Sequence, residues 1–331
     1  MQNLLIKNWG ISSEIILQEA KKLSYKTEII SKNDNLFSIA YWSDKIYFKS
    51  VDCGINSAFW LKISDNKELT YLIAEENNIK VPKNIYIDRA QLNDTDFTNL
   101  DIVYPVISKP IDWGHWDWVA INLHNVELLK EWVKYSFKNP QVSRVVIQQQ
   151  IKGDDHRIIV LNWKVIAVSK RIPPYIKWDW ETSIKELINL ENTNPKRGSW
   201  YNHDGIMSKI LVDKESICCI SEQWYTLESI PKKGITINIR KNANLSSWWL
   251  AIDMTFIIHE SIKNEAIKIA KICWLSFCWV DYFCEDISEE LKIGNWAIIE
   301  LNATPWIRMH HFPSQWESRN VASLLLQELF K

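Results

Sequence analysis

The hydrophobic and polar positions of the chain follow two periods, which predicts a mixture of helices and strands. Apolar residues recur every three or four positions in Glu14–Leu23, Val126–Phe137 and Glu317–Phe330, as in amphipathic helices. Short apolar or alternating runs such as Arg144–Gln150 and Ala297–Leu301 predict strands. The chain shows no repeat of fixed period. The sequence therefore predicts an α+β fold with a mainly antiparallel sheet.

The remaining segments extend this prediction along the chain. Ser64 or Asp65 is expected to cap a helix with Leu69, Leu72 and Ile73 on one face. Residues 1 to about 60 read as a small α/β lobe. The other predicted elements are helices near 182–190 and at 261–273, and strands Thr27–Ile30, Lys45–Lys49, Ile102–Ser108, Val119–Leu123, His156–Leu161, Lys164–Lys170, Thr236–Arg240 and Leu275–Cys284.

Charge and apolar run length exclude several classes of protein. The 331 residues carry 39 Lys and Arg against 40 Asp and Glu, so the chain offers no basic surface to a nucleic acid. No apolar run approaches the roughly 18 to 20 residues that cross a bilayer, and Met1–Gly10 lacks the apolar centre of a signal peptide. Six cysteines without C-x-x-C spacing predict reduced thiols. We expect a cytoplasmic protein that binds neither nucleic acid nor membrane.

Glycine and tryptophan occur in abnormal numbers. The chain has 8 Gly and 19 Trp, whereas the usual share of about 7% would give roughly 23 Gly. Trp163 follows Asn162 in a predicted two-residue hairpin turn, where Gly is preferred. Trp178 and Trp180 lie among polar loop residues, and Trp274 stands where a helix C-terminal cap is normally Gly. Trp thus occupies positions that require a permissive backbone.

We therefore hypothesise that many of these Trp correspond to UGA codons that the source organism reads as Gly. UGG codons at these positions, or Trp found by mass spectrometry of the native protein, would refute the hypothesis. The alternative is a protein that is rich in Trp by design, such as a carbohydrate binder that stacks sugars on indole rings. Binding aromatics would gather on one face, which makes this alternative the weaker one.

The first candidate site is the loop that follows Lys109. With Gly restored at positions 113, 116 and 118, the loop would have free backbone amides able to cover phosphate oxygens. With the residues of the given sequence, this loop holds one Gly and three Trp. These residues alone favour an aromatic loop without a ligand. Neither a Walker A nor a dinucleotide-binding fingerprint occurs in the chain.

The second candidate site lies on two strands that carry acids among apolar residues. Asp281 interrupts one strand, and Glu300 and Asn302 alternate with apolar neighbours, so they share one face of the other strand. Two carboxylates and an amide oxygen suit Mg²⁺, which prefers oxygen ligands. The alternative is an ordinary solvated strand face, but the strongly apolar flanks favour a metal site.

The third candidate site runs from Val145 to Arg157, where a strand leads into a Gly turn with acids beyond it. Backbone amides at the strand end could pair with a purine edge, and Asp155 could pair with ribose hydroxyls. Without further support, a hairpin with a charged turn is the default interpretation.

Taken together, these segments resemble the ATP-grasp ligases, and in particular the ATP-grasp part of cyanophycin synthetase and of bifunctional glutathione synthetase. The resemblance covers about residues 50 to 320, in order along the chain. It is carried by Ser64–Thr70, Lys109–Asp112 with its loop, Gln148–Arg157, Asn242–Trp249, Val280-Asp281 and Glu300–His310.

The resemblance implies a role for each matching residue. The ATP phosphates would be contacted by Lys67 and Lys109, with His115 and Asn244 in the two phosphate-side loops. Adenine would be contacted by Gln148, Gln149 and Ile151, and ribose by Asp155. The metal ions would be held by Asp281, Glu300 and Asn302, and Arg308 would face the transferred phosphoryl group or the acceptor carboxylate.

The chain departs from the family pattern in two ways. Gln148 stands where the adenine hinge of the family usually has Glu. The loop glycines expected at 113, 116, 118, 248, 249 and 306 are all printed as Trp, which agrees with the recoding hypothesis and does not depend on the hairpin. The printed chain also ends at Lys331 without the second, Mur-ligase-like domain of cyanophycin synthetase, so we expect it not to be that whole enzyme.

The resemblance implies an ATP-grasp fold with a small N-terminal α/β lobe at 1–62 and an ATP-grasp domain at 63–331. Within this domain a lid is expected at about 85–147 and an antiparallel-sheet lobe at about 148–331. The implied activity is carboxylate–amine ligation with ATP and Mg²⁺, or Mn²⁺, on small amino-acid or peptide substrates, with Lys109 and Arg308 as catalytic residues. An inactive ATP-binding homologue and a Trp-rich carbohydrate binder are the alternatives.

Overall fold

A computed structural model describes residues 9–111, 119–177, 181–195, 197–198, 207–232, 234–240, 250–291 and 296–331. The chain begins with a helix and a three-stranded antiparallel sheet, and only the middle strand of that sheet was not predicted from the sequence. Helix α1 and strand β1 cover the predicted segments to within a few residues. The elements are α1 (Ile11–Lys22), β1 (Lys26–Ser31), β2 (Leu36–Tyr41) and β3 (Asp44–Lys49).

Two short helices follow, α2 (Ala58–Ser64) and α3 (Lys67–Glu76). The predicted cap at Ser64 or Asp65 is wrong, because the Asn66 side chain accepts the hydrogen bond from the Leu69 backbone N–H over 3.2 Å.

The apolar face predicted for α3 packs on the core only in part. Tyr71 and Ala74 are buried and Ile73 is partly buried against the same core, whereas Leu69 and Leu72 are exposed. The core accepts Tyr71 because its hydroxyl group donates a hydrogen bond to the Ile299 carbonyl.

A four-stranded antiparallel sheet comes next, with strand order β4-β7-β5-β6. Helix α4 packs on it through Leu129 and Val133, which share a core with strand residues. Strand β5 begins later than predicted, after Pro105, which has no N–H for the ladder. The elements are β4 (Asn84–Asp88), β5 (Val106–Pro110), β6 (Ala120–Leu123), α4 (Val126–Ser136) and β7 (Arg144–Gln149).

The predicted hairpin opens the next part of the chain, as β8 (Asp154–Leu161) and β9 (Lys164–Ile172) joined by Asn162-Trp163. A small satellite core follows, built mainly from isoleucines of short strands and two helices. Its elements are β10 (Tyr175–Lys177), α5 (Ile184–Glu191), β11 (Arg197–Gly198), β12 (Met207–Ser208), α6 (Lys214–Glu222) and β13 (Thr236–Asn238).

The last elements complete a five-stranded antiparallel sheet with the order β14-β9-β8-β15-β16, which confirms the predicted α+β class. Helix α7 packs on one face, and α1 and α9 pack on the other. No described helix is long and apolar enough to span a membrane. The elements are β14 (Leu250–Asp253), α7 (Glu260–Ile272), β15 (Phe277–Cys284), β16 (Trp296–Asn302), α8 (Arg308–His311) and α9 (Val321–Leu329).

The N-terminal elements share a hydrophobic core with the five-stranded sheet. Ile16 of α1 and Phe37 of β2 belong to the same cluster as Ile159 of β8 and Phe277 of β15. The division at 62/63 and the lid boundaries at 85–147 stay predictions.

Candidate active site

Three predicted metal ligands meet on one face of the five-stranded sheet, beside its edge strand β16. Asp281 of β15 lies directly opposite Glu300 of β16 in the antiparallel register, and Asn302 lies opposite Trp279. The Asp281, Glu300 and Asn302 side chains all line one cavity of about 300 Å³. The strand pairing thus brings together residues that are about 20 positions apart in the chain.

Asp281 is buried and held by two arginines. Arg157 donates from Nε to Oδ1 over 2.8 Å and from Nη2 to Oδ2 over 2.9 Å. Arg171 donates from Nη2 to the same Oδ2 over 2.9 Å. Burial raises the pKa of Asp281, but the two guanidinium groups outweigh this effect and hold the pKa below the usual range.

The two arginines are functional candidates that sequence reasoning missed. Both side chains are at most 5% exposed, and both line the cavity. Among the described residues, Nη1 of Arg157 and Nε of Arg171 have no hydrogen-bond partner. Because buried N–H groups normally have partners, these two can serve an anionic ligand. The available sequence signal was a positive charge inside each of two apolar strands.

Arg157 is also fixed from outside the ion pair. Its guanidinium carbon lies 3.6 Å from the centre of the Trp279 ring, at stacking distance. Arg171 pairs in addition with Asp155 over 2.6 Å. Burial and the nearby Asp281 raise the pKa of Asp155, although Arg171 opposes them. The buried carboxylate of Asp281, the partly buried carboxylate of Asp155 and two buried guanidinium groups therefore form one balanced network.

Two lysines lie on the other side of Glu300. Lys67, at the start of α3, places Nζ 3.3 Å from Oε1 of Glu300. Lys109 of β5 donates from Nζ to Oε1 of Gln148 over 3.0 Å. Burial and the nearby charge of Lys67 together lower the pKa of Lys109 to about 7, although the charge of Glu300 opposes the shift. An anion bound here would restore the charged form of Lys109.

Gln148 is buried and uses its whole amide inside the protein. Nε2 donates to Tyr71 Oη over 3.1 Å and to Asn84 Oδ1 over 2.8 Å, while Oε1 accepts from Lys109. Because Tyr71 in turn donates to the Ile299 carbonyl, the chain of bonds links β7 of the four-stranded sheet to β16 of the five-stranded sheet.

Comparison with known proteins places this site in a family, although no family model matches the chain. Cyanophycin synthetase of Crocosphaera subtropica is 33% identical over 272 residues, which cover 82% of this chain and 31% of that protein. The glutathione biosynthesis bifunctional protein of Clostridium perfringens is 30% identical over 322 residues, 97% of this chain and 41% of that protein. The crystal structure of a bifunctional glutathione synthetase from Pasteurella multocida superposes with a TM-score of 0.76 at 25% identity, covering 98% of this chain and 44% of that one.

The chain belongs with the ATP-grasp ligases. It spans about a third of the length of the cyanophycin synthetases that it matches. The ATP-grasp fold expected from the sequence is confirmed.

The structure places the remaining ATP-grasp site residues as follows. The Gln149 backbone N–H donates to the Lys83 carbonyl over 2.8 Å, and Ile151 is half-buried between β7 and β8. Arg308 begins α8, six residues after Asn302, and burial lowers its pKa to about 10. The predicted phosphate-side residues His115 and Asn244 lie outside the described residues. The roles assigned to all these residues stay predictions.

The donor set on this face of the sheet fits a magnesium-type ion. Among the described residues no group of three or more His, Cys, Asp and Glu side chains could hold a metal. Asp281, Glu300 and the amide of Asn302 offer oxygen ligands, which Mg²⁺ prefers. Among the described residues, Oδ1 of Asp281 accepts one hydrogen bond, from Arg157, which leaves a lone pair for a cation.

Proposed function

We propose that the chain is the ATP-grasp part of a carboxylate–amine ligase that forms an amide or peptide bond and releases ADP and phosphate. The proposal rests on one observation: Asp281, Glu300 and Asn302 share a cavity with two buried arginines. Oxygen ligands for a cation and N–H donors for an anion within one cavity suit phosphoryl transfer, which depends on positioning and charge neutralisation.

Asp281, Glu300 and Asn302 would hold Mg²⁺, with Mn²⁺ as the alternative ion. The ion would neutralise phosphate charge as the γ-phosphoryl group moves. Because Asp281 is shared with Arg157 and Arg171, the arginines would fix the direction of its remaining lone pair. Lys67 would hold Glu300 in place from the other side.

The reaction would proceed in two displacements. An oxygen of the substrate carboxylate attacks the γ-phosphorus, the bond from this phosphorus to the bridging oxygen breaks, and ADP leaves. The amine nitrogen then attacks the acyl carbon, the C–N bond forms, and phosphate leaves with the bond electrons. The amine loses its proton in this step. No protein nucleophile is required.

The side chains would act by position and charge. Lys109 would contact a phosphate of ATP, and its low pKa would rise when the anion binds. Nη1 of Arg157 and Nε of Arg171, which have no described partner, would bind the acceptor carboxylate or the transferred phosphoryl group. Arg308 would offset charge that develops during transfer.

The substrates would be small amino acids or peptides, in keeping with the names of the relatives. A cytoplasmic location likewise stays a prediction. The test is ADP release by the native protein with Mg²⁺, ATP and a panel of amino acids and dipeptides. ADP release that requires both a carboxylate and an amine substrate supports the proposal. The proposal would be refuted by ADP release at the same rate with and without the amino acids and dipeptides. It would also be refuted if a thermal shift assay showed no binding of Mg-ATP.

A further inference from the structure

Tryptophan occupies left-handed backbone positions throughout the described chain. Eleven of the described non-glycine residues have positive φ, and five of these eleven are Trp. The other six are all Asn or Ser, small polar residues that tolerate this region better than bulky ones, for which it is a genuine outlier. The five Trp, with φ between 45° and 71°, are Trp42, Trp163, Trp224, Trp274 and Trp316.

The β8–β9 hairpin shows why this conformation is required. Asn162 has φ 43° and Trp163 has φ 63°, so both turn residues are left-handed. A two-residue turn of this kind matches the twist of the flanking strands and strongly prefers Asn-Gly. The strands pair on both sides of the turn, from Leu161 opposite Lys164 onward, so the fold fixes the backbone whatever residue occupies position 163.

The ends of two helices also require a residue with left-handed backbone conformation. At the end of α7 the Leu275 N–H bonds to the Ala270 carbonyl over 2.9 Å, and the Trp274 N–H bonds to the Lys271 carbonyl over 3.0 Å. This pair of bonds defines a Schellman motif, whose left-handed residue is usually Gly. Trp224 after α6 makes the corresponding bond to Ser221, and Tyr225 bonds to Ile220.

The indole rings at four of the five positions are in solvent. Trp42 is 89% exposed, Trp224 94%, Trp274 69% and Trp316 78%. They follow different elements, on a hairpin of the N-terminal sheet, at two helix ends and before α9. Their side chains therefore contribute little to packing.

Trp132 differs from these four residues in both backbone conformation and packing. It lies inside α4, is half-buried against the core of the four-stranded sheet, and meets the Tyr135 ring edge-on at 5.4 Å. Gly inside a helix is destabilising. Position 132 thus requires a large side chain, and the four exposed left-handed positions require none. Trp163 is partly buried against the core on the α7 face of the five-stranded sheet, so its assignment rests on the turn geometry alone.

We propose that the native protein has glycine at positions 42, 163, 224, 274 and 316 and tryptophan at position 132. The five codons are UGA, which the source organism reads as glycine, and the codon for Trp132 is UGG. The inference does not depend on the ligase activity, because it rests on backbone dihedral angles and exposure alone.

The test is peptide mass spectrometry of the native protein, together with the codons of its gene. Glycine in peptides that cover the five positions, with UGA in the gene, and tryptophan at position 132 with UGG, are the expected results. Tryptophan at any of the five positions in the native peptides overturns the assignment, and glycine at position 132 overturns the distinction drawn from the structure. Loss of ligase activity has no bearing on either result.

Discussion

Lys109 donates a hydrogen bond from Nζ to Oε1 of Gln148 over 3.0 Å. The orientation of this amide is fixed, because its Nε2 group serves Tyr71 and Asn84. The buried ammonium group is therefore held by a neutral acceptor, and the low pKa of about 7 follows from burial and from the neighbouring charge of Lys67. Its positive charge is left for a ligand to balance.

Replacement of Gln148 by Glu tests this relationship. In the unmodified protein, ATP affinity should fall as the pH rises above about 7, because free Lys109 loses its proton there. In Gln148→Glu, an adjacent carboxylate raises the pKa of Lys109, so the fall should move to higher pH. The measurement is the Kd for ATP between pH 6.5 and 8.5.

Lys109→Arg is the matched control for the pH profile, because arginine stays protonated throughout this range. Its ATP affinity should show little fall above pH 7. A Gln148→Glu profile that coincides with that of the unmodified protein would show that Lys109 does not govern the pH dependence.

Glu300→Gln should remove a metal ligand while preserving shape. Turnover should fall by about 10²-fold or more, as when one preorganised charge-stabilising group is lost, with little change in Tm because the side chain is partly exposed. The measurement is ADP release together with thermal unfolding. Glu290→Gln, at an exposed position, is the control and should retain full activity. Retained turnover in Glu300→Gln would remove this residue from the metal site.

Local patterns predicted much of the fold. Periodicity and turn chemistry are local properties of the sequence. They therefore predicted helix α4, the β8–β9 hairpin and the strands that carry Asp281 and Glu300. The cap of α3 was misassigned by one or two residues, since several candidate capping residues lie in a row and the first two, Ser64 and Asp65, end the preceding helix α2.

The contacts of Asp281 could not be read from the sequence. Arg157 and Arg171 are 124 and 110 positions away from it, and they reach it only because β8 lies between β9 and β15 in the sheet. Metal-ligand reasoning identified the carboxylate from its apolar flanks, but the identity of its partners depends on strand order. The network of Gln148 and Tyr71 was missed for the same reason, as it crosses two sheets.

Arg157→Met should destabilise the protein strongly, because it leaves Asp281 buried with one partner. Breaking a buried ion pair in this way costs about 3 to 5 kcal/mol. The low pKa of Asp281 contributes stability that is present above its unfolded value of 3.8 and is lost as the pH falls below that value. The variant should therefore lose less stability than the unmodified protein between pH 5 and 3. Urea unfolding at both pH values measures this difference.

Arg144→Met is the control for this change. Arg144 also contacts two carboxylates, Glu68 and Asp88, but its side chain is 35% exposed. Its loss should cost about 1 kcal/mol or less, with no effect specific to Asp281. Equal losses in the two variants would mean that burial does not set the strength of the Arg157 pair.

Substitutions at Trp274 and Trp132 should change stability in opposite orders. At position 274 the chain is left-handed and exposed, so Trp274→Gly should be more stable than Trp274→Ala by about 1 kcal/mol, because only glycine lacks the Cβ atom that makes this conformation costly. At position 132 the helix reverses the order, and Trp132→Ala should be more stable than Trp132→Gly by about 1 kcal/mol. Both Trp132 variants should also be less stable than the unmodified chain, because the half-buried indole packs on the core.

Urea unfolding of the four variants measures these differences. Since each pair shares the loss of the indole, the alanine variant separates packing from backbone conformation. The same order at both positions would show that position 274 has no requirement for glycine.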